Sequence, residues 1–231
     1  MSSPVSKPYL IGIAGPSCAG KTELTRRLAR LLSSPQHADS ARAGDPVSVA
    51  VLPLDCYYPD LSHLPPAERA RHNFDQPTAF DYALFHAHLS ALASGRPVER
   101  PVYDFATHTR TAQLEVIRPG RYLLVEGLFV LYWPPVRALL ATKVFVDLDD
   151  RQCLERRIAR DVAERGRTAE SVIAQFNQTV RPMAEQFIRP THQFADLIVR
   201  GDDSLDASVA AVMAHVDRHA ARQASAHPLP Q

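Results

Sequence analysis

Residues 15–22 read Gly-Pro-Ser-Cys-Ala-Gly-Lys-Thr, and their spacing suits the holding of phosphate. The pattern is G-x-x-x-x-G-K-[ST]. Gly15 and Gly20 let the backbone curl so that successive amides point at one anion. Lys21 is a point charge for β- and γ-phosphates. The Thr22 hydroxyl is of a type that ligates Mg²⁺. The whole span, Gly15, Pro16, Ser17, Cys18, Ala19, Gly20, Lys21 and Thr22, is thus expected to bind a nucleoside triphosphate.

Three carboxylates follow apolar runs. Asp55 ends VAVLPLD, Glu126 ends YLLVE and Asp147 ends KVFVD. Acids at strand ends are placed to serve as Mg²⁺ ligands or bases, and equally to cap a helix or solvate a turn. Asp55 and Glu126 gain weight because they would face Lys21 and Thr22, whereas Asp147 reads as the start of the next turn. Arginines cluster at Arg156, Arg157, Arg160, Arg165 and Arg167. Such a run is either a solvated helix face or a lid that closes over a triphosphate, hinged at Gly166. The segments NFDQPTAFD (73–81) and PVYDFATHTR (101–110) bring Tyr103, Phe105 and His108 together. On a strand Tyr103 and Phe105 share a face; they line a wall for a planar heteroaromatic ligand or pack on the core.

The elements that must position these groups alternate between strand and helix. Tyr9–Ala14 reads as a buried strand and Thr22–Leu32 as an amphipathic helix with Leu24, Leu28, Leu31 and Leu32 on one face. Strand, loop, helix is the order that aims helix amides at phosphate. Val47–Leu52 is a second strand, after a surface loop from Ser33 to Pro46. A short helix is expected within Leu61–His72, and a longer one over Tyr82–Ala93, closing at Gly95. Val98–Tyr103 and Leu114–Ile117 read as a hairpin. Tyr122–Val125, Val144–Leu148 and Leu197–Val199 are further strands. Helices are expected at Asp150–Ala163, with Arg165 and Arg167 just beyond its end; at Thr168–Val180, interrupted at Pro182; and at Ser204–Ala221. Residues 1–7 and about 223–231 read as flexible. The fold class is α/β: a mostly parallel sheet between helices, in one domain spanning 1–231, with ligands at the carboxyl ends of the strands.

The bulk numbers exclude several classes of partner. The 231 residues suffice for one such domain, 45% of them are hydrophobic, and the net charge is +1. That balance gives no drive toward nucleic acid or an anionic membrane. The longest apolar stretch, Tyr122–Trp133, is too short to span a bilayer and contains Glu126. The N-terminus lacks a signal-peptide core. Three scattered cysteines, Cys18, Cys56 and Cys153, make no disulfide framework or metal spacing, which points to a reducing cytoplasm.

From Tyr9 to Val199 the chain resembles the uridine-cytidine kinase family and its phosphoribulokinase-like relatives. The resemblance rests on colinear segments: GPSCAGKT, DCYY, NFDQPTAFD, PVYDFATHTR, VEGLFVLY, RRIARDVAERGR and FNQTVRPMAEQFIRPTHQFADLIV. It implies a P-loop kinase fold with an inserted β-hairpin and an arginine-rich lid. It implies transfer of the γ-phosphate of ATP or GTP, with Mg²⁺, to the 5′-hydroxyl of uridine or cytidine in pyrimidine salvage. Asp55 then matches the general base, with Lys21 beside it in the catalytic set and Thr22, Asp55 and Glu126 near the metal. Tyr58, Phe74, Asp75, Tyr103, Phe105 and His108 fall at nucleoside positions, as do Arg157, Arg167 and Gln175. Arg160 and Arg165 match phosphate-contacting lid residues. The resemblance also implies a homo-oligomer, commonly a tetramer. The chain departs at Pro53, at Phe176 where a tyrosine is common, and at Cys18 within the loop. Kinases of other small alcohols, such as pantothenate or ribulose phosphate, are the alternative, and the aromatic hairpin argues against a ligand with no ring base. A regulatory GTP switch would need DxxG and NKxD segments, and the sequence holds neither.

Overall fold

The computed structural model describes residues 7–34, 49–69 and 71–226. Five strands form one parallel sheet: β1 (Tyr9–Ala14), β2 (Val49–Pro53), β5 (Tyr122–Glu126), β6 (Thr142–Asp147) and β7 (Leu197–Arg200). Their order across the sheet is β2-β5-β1-β6-β7. The hairpin of β3 (Val98–Asp104) and β4 (Thr109–Ile117) is a separate antiparallel pair. The helices are α1 (Lys21–Leu32), α2 (Pro66–Arg69), α3 (Tyr82–Ala93), α4 (Pro134–Leu139), α5 (Asp150–Arg165), α6 (Ala169–Gln175), α7 (Arg181–Met183) and α8 (Leu205–Ala226).

Continuous apolar runs form the inner strands because both faces of the sheet are covered. Side chains alternate between two cores, as a period of two requires. Leu10, Leu52, Leu123 and Phe145 face a core closed by Phe85, Leu89 and Leu92 of α3 and by Phe129 of the segment after β5. Ile11, Ile13, Leu124 and Val144 face the other, closed by Leu24, Leu28 and Leu32 of α1 and Val209, Val212 and Val216 of α8. Each buried leucine or phenylalanine contributes about 1.5–3 kcal/mol, so these two layers fix the strand order. The register sets Pro53 and Ile13 on either side of Glu126. All three strands therefore end at one level, and the loops that follow them meet.

Several expectations are corrected. Asp55 does not end a strand; β2 stops at Pro53, and Asp55 sits in a 3₁₀ turn, Leu54–Tyr57. Asp147 is the last residue of β6 and pairs with Arg189 at 3.2 Å. α5 extends through Arg165, so that arginine rides on the helix. Pro182 does not interrupt the chain's helical course. A π turn at Phe176–Val180 precedes α7, and a second π turn, Ala184–Ile188, leads to a 3₁₀ segment, Arg189–Phe194. Arg181 and Arg189 donate their amides five residues back, to Phe176 and Ala184. The widened turns make room for the rings of Pro182 and Pro190, which would clash four residues back in a tight α-helix. α8 runs to Ala226, past the start of the tail expected to be flexible. Residues 1–6, 35–46, Val47, Ser48 and 227–231, about which flexible ends, a loop and a strand start were expected, lie outside the described residues.

Two glycines place the site. Gly15 has φ +147°, and a Cβ there would lie 2.2 Å from the Val146 carbonyl oxygen of the neighbouring strand. Gly166 has φ +62° with nothing within 4 Å, so its demand is conformational alone. We expect Gly15→Ala to cost more than about 2 kcal/mol, because backbone must move, and Gly166→Ala about 1 kcal/mol. Urea unfolding of both variants checks this; equal losses would show that the loop yields freely.

Candidate active site

The loop between β1 and α1 carries the first group of residues. Gly20, with φ +106°, is the N-cap of α1 and offers no side-chain cap. The first amides of α1 are left for an anion, the usual advantage of a helix start. Lys21 is buried and folds back, donating to the Pro16 carbonyl at 2.7 Å. Cys18 takes the left-handed conformation, φ 63°, with Ser17 Oγ 3.8 Å from its Sγ.

Two acids arrive from β2 and β5. Glu126 is buried and accepts from Thr22 Oγ1 at 3.2 and 3.4 Å. Burial, and after it the charge of Asp55, pushes Glu126 up to about 7. Asp55, in the turn after β2, is crowded by protein yet partly open to solvent. Burial raises its pKa, against the pull of Lys21, Arg160 and Arg165. Two desolvated carboxylates beside one hydroxyl are an unsatisfied set, and a divalent cation would relieve them. Two carboxylates and a hydroxyl are hard oxygen donors of the type that suits Mg²⁺, which takes few protein oxygens and keeps waters.

Facing these acids is an aromatic wall. The Tyr58 ring stands 5.3 Å from Tyr103 and 5.2 Å from Phe74, and Phe74 stacks on His108 at 4.9 Å and 20°. Tyr103 Oη is buried with no partner. Phe105 touches Tyr103 but lies past the end of β3, exposed on the turn, so the shared-strand reading holds for Tyr103 alone. The turn is shaped by Asp104, which accepts from the Ala106 amide at 2.9 Å and the Thr107 hydroxyl at 2.7 Å. His108 follows with φ 54°. Burial, then Arg165 and Arg167, holds its pKa below the ordinary histidine range. Asp75 is buried, with its pKa raised by that burial despite Arg157 nearby.

The arginines converge on the same cleft. Arg157 donates to Ser17 Oγ at 2.9 Å and to Gln175 Oε1 at 3.2 Å, and Arg167 donates to Gln175 at 2.6 Å. Ser17 of the phosphate loop, Arg157, Gln175 and Arg167 are thus joined in one hydrogen-bonded chain, whereas Asp147 lies elsewhere, beside Arg189 and His192.

Three features went unforeseen. Asp161 is wholly buried among the arginines; its place four residues from both Arg157 and Arg165 was the available signal. Arg110 of β4 donates to the Tyr58 carbonyl at 2.8 Å and to Asp81 at 3.2 Å, pinning the hairpin to the turn that bears Asp55; no local pattern marks it. A cavity of about 160 Å³ opens beside the phosphate loop, lined by Ala19, Gly20, Arg156, Val199, Gly201 and Leu205. It joins residues far apart in sequence.

Known proteins were compared with this arrangement. The model of the phosphoribulokinase / uridine kinase family matches residues 10–206. The chain is 44% identical over 190 residues to a uridine kinase of Tolumonas auensis, covering 82% of this chain and 85% of that one. It is 41% identical over 210 residues to a uridine kinase of Chloroflexus aurantiacus, covering 91% and 95%. The phosphoribulokinase structure from Rhodobacter spheroides superposes with a TM-score of 0.63 at 15% identity, over 85% of this chain and 71% of that one, a likeness of fold alone.

The cysteines give a direct check on the loop. Burial pushes Cys56 and Cys153 up to about 11; Cys18 sits on the phosphate loop and, like Cys56, is half-buried. Iodoacetamide at about pH 8 should label Cys18 at least about tenfold faster than the other two, since the thiolate is the nucleophile. Peptide mapping reads the order of labelling; Cys56 or Cys153 reacting first would contradict this geometry.

Proposed function

The chain belongs to the phosphoribulokinase / uridine kinase family, and on that premise we propose that it is a nucleoside kinase that phosphorylates the 5′-hydroxyl of uridine or cytidine from ATP or GTP. The observation that carries this reading is the meeting of a phosphate-loop lysine and a buried acid pair with an aromatic pocket. The relatives named uridine kinase support it over most of the chain's length.

The residues divide the work. Lys21 and the amides of Gly15 to Thr22 hold the donor's phosphates. Arg156 and the cavity beside the loop take the donor's base. Thr22, Asp55 and Glu126 would hold Mg²⁺, which when bound neutralises charge between the β- and γ-phosphates. Asp55 orients the nucleoside hydroxyl and accepts its proton; its raised pKa makes it a stronger base than a solvated aspartate. Arg160 and Arg165 stabilise the phosphoryl group in transfer. Asp75 pairs the ribose hydroxyls. Tyr58, Phe74, Tyr103 and Phe105 enclose the base, and Arg157, Arg167 and Gln175 close the nucleoside side. The four aromatic rings and His108 argue against pantothenate or ribulose phosphate, neither of which carries a ring base. The reading includes a cytoplasmic homo-oligomer, with the tetramer as its expected form. No helix among the described residues is long and apolar enough to cross a membrane.

A coupled ADP-release assay against pyrimidine and purine nucleosides, pantothenate and sugar phosphates tests the proposal. Uridine and cytidine should lead the panel; turnover of another alcohol alone would overturn it.

Asp55→Asn keeps size and hydrogen bonding but accepts no proton. We expect kcat to fall at least about 10²-fold, with uridine affinity changed far less. Near-normal turnover would remove Asp55 from the mechanism and leave Glu126 as the base.

His108, kept neutral by its surroundings, can donate from one nitrogen and accept at the other. It can therefore serve both the uracil carbonyl and the cytosine amine. Wild-type kcat/KM for uridine and cytidine should agree within about tenfold, a gap of about 1.4 kcal/mol. His108→Tyr should shift that ratio, toward cytidine, by more than it lowers the better activity. An unmoved ratio would make His108 structural.

A further inference from the structure

We infer that Asp161 is the positioning residue of the lid: its buried carboxylate gathers four guanidiniums and sorts them between those locked in place and those kept partly open toward substrate phosphates. The inference rests on the kinase reading above and adds to it a group that touches neither substrate.

The geometry is concentrated on one side chain. Asp161 is completely buried, and Arg160 lies 2.8 Å away, Arg167 3.2 Å, Arg165 3.6 Å and Arg157 3.7 Å. Arg157 and Arg165 reach it from four residues away on either side along α5. Arg167 reaches it because Gly166 turns the chain left-handed. The Asp161 carbonyl fixes that turn, accepting from the Gly166 amide and from the Arg167 amide at 3.2 Å. One residue thus ends the helix through its backbone and collects the arginines through its side chain.

Four like charges this close repel one another strongly in a partly buried setting. A single carboxylate offsets one of them, so the cluster keeps an excess of positive charge for an incoming anion. It also orders them unequally. The Arg157 side chain is only 8% exposed, and it is held as well by Ser17 of the phosphate loop and by Gln175. Arg160 and Arg165 keep 31% and 39% of their surface open, on the cleft side where Asp55 feels their charge. With Asp161 in place the open pair is already gathered beside the loop before any phosphate arrives. Preorganised charge of this kind acts on the transition state, because it need not be rearranged during reaction.

The test is Asp161→Asn, which keeps the shape and removes the charge, with Asp161→Glu as the conservative variant. Per folded molecule, kcat should fall at least about tenfold in Asp161→Asn, while KM for uridine stays within about threefold. Binding of inorganic pyrophosphate, followed by calorimetry, should be undiminished or tighter, because the positive charges remain and their resident competitor is gone. Asp161→Glu should recover part of the lost kcat. A purely structural role predicts the reverse: kcat per folded molecule unchanged, or kcat and pyrophosphate binding lost together. Either result overturns the inference. If Asp161→Asn does not fold in dilute buffer, unfolding is measured in sulfate, whose anion should take the carboxylate's place and restore a cooperative transition. Failure to fold there too overturns the inference by making Asp161 a requirement of the fold. If the wild type phosphorylates no nucleoside, the kinase reading falls, and the pyrophosphate comparison still reports on Asp161.

Discussion

The parallel register of β1 between β5 and β6 is the constraint from which the cleft follows. Parallel strands end on the same side, so whatever comes after each of them must meet its neighbours there. Here β1 delivers the phosphate loop, β2 the turn with Asp55, and β5 ends on Glu126 itself. The Gly127 amide then closes onto the Ile13 carbonyl at 3.1 Å, tying the acid's strand end to the loop's own strand. The two apolar layers hold this register, because a slip of one residue would turn each core-facing set toward the wrong layer.

The cleft is built from charges that do not balance within the protein. On one wall burial raises the pKa of both Asp55 and Glu126, and the charge of Asp55 raises Glu126 further. On the other, four arginines share Asp161. For Asp161 itself, burial works to raise the pKa, yet the guanidiniums overcome this and hold it below the ordinary range. An excess of negative charge for a cation and of positive charge for phosphate stand a short way apart. Opposite charges set apart in this way are the complement of the proposed metal and phosphate ligands.

Helix α5 and the hairpin reach the cleft by different means. The hairpin is a two-stranded pair with an exposed outer strand, and such a pair is marginal by itself. Arg110 fixes it to the Tyr57 and Tyr58 carbonyls, and Arg100 bonds Cys56 Sγ at 2.9 Å while pairing with Glu115. Two arginines therefore anchor the aromatic wall to the turn that carries Asp55. The lid side is braced instead by the long helical segment after Gly166. Its buried residues fall at Val172, Phe176, Val180, Ala184 and Ile188, one in four, a longer repeat than the 3.6 of an α-helix. The π turns, which take more residues per turn, keep that stripe inward.

The sequence by itself determined whatever is written in adjacent residues. The phosphate loop was legible because its function is carried by eight consecutive residues, and the strands because a buried parallel sheet demands apolar runs. Asp55 and Glu126 were legible as acids after such runs, and the family resemblance supplied the proposed nucleoside residues by position. The tertiary structure decided the rest. The expected break at Pro182 failed because local propensity cannot see that burial every fourth residue favours a wider turn. The nearness of Asp55 to Glu126, whose pKa it raises, required the register of two strands joined only through space. Asp161 stood in the sequence as one acid in a basic run, set apart from the exposed Glu164 only by its place four residues from both Arg157 and Arg165. Only when Gly166 folds Arg167 back, and α5 buries one face, do four guanidiniums find a single carboxylate. Spacing along the chain specifies contacts within a turn or two of helix, whereas the strength of an ion cluster depends on burial, and burial belongs to the packed whole.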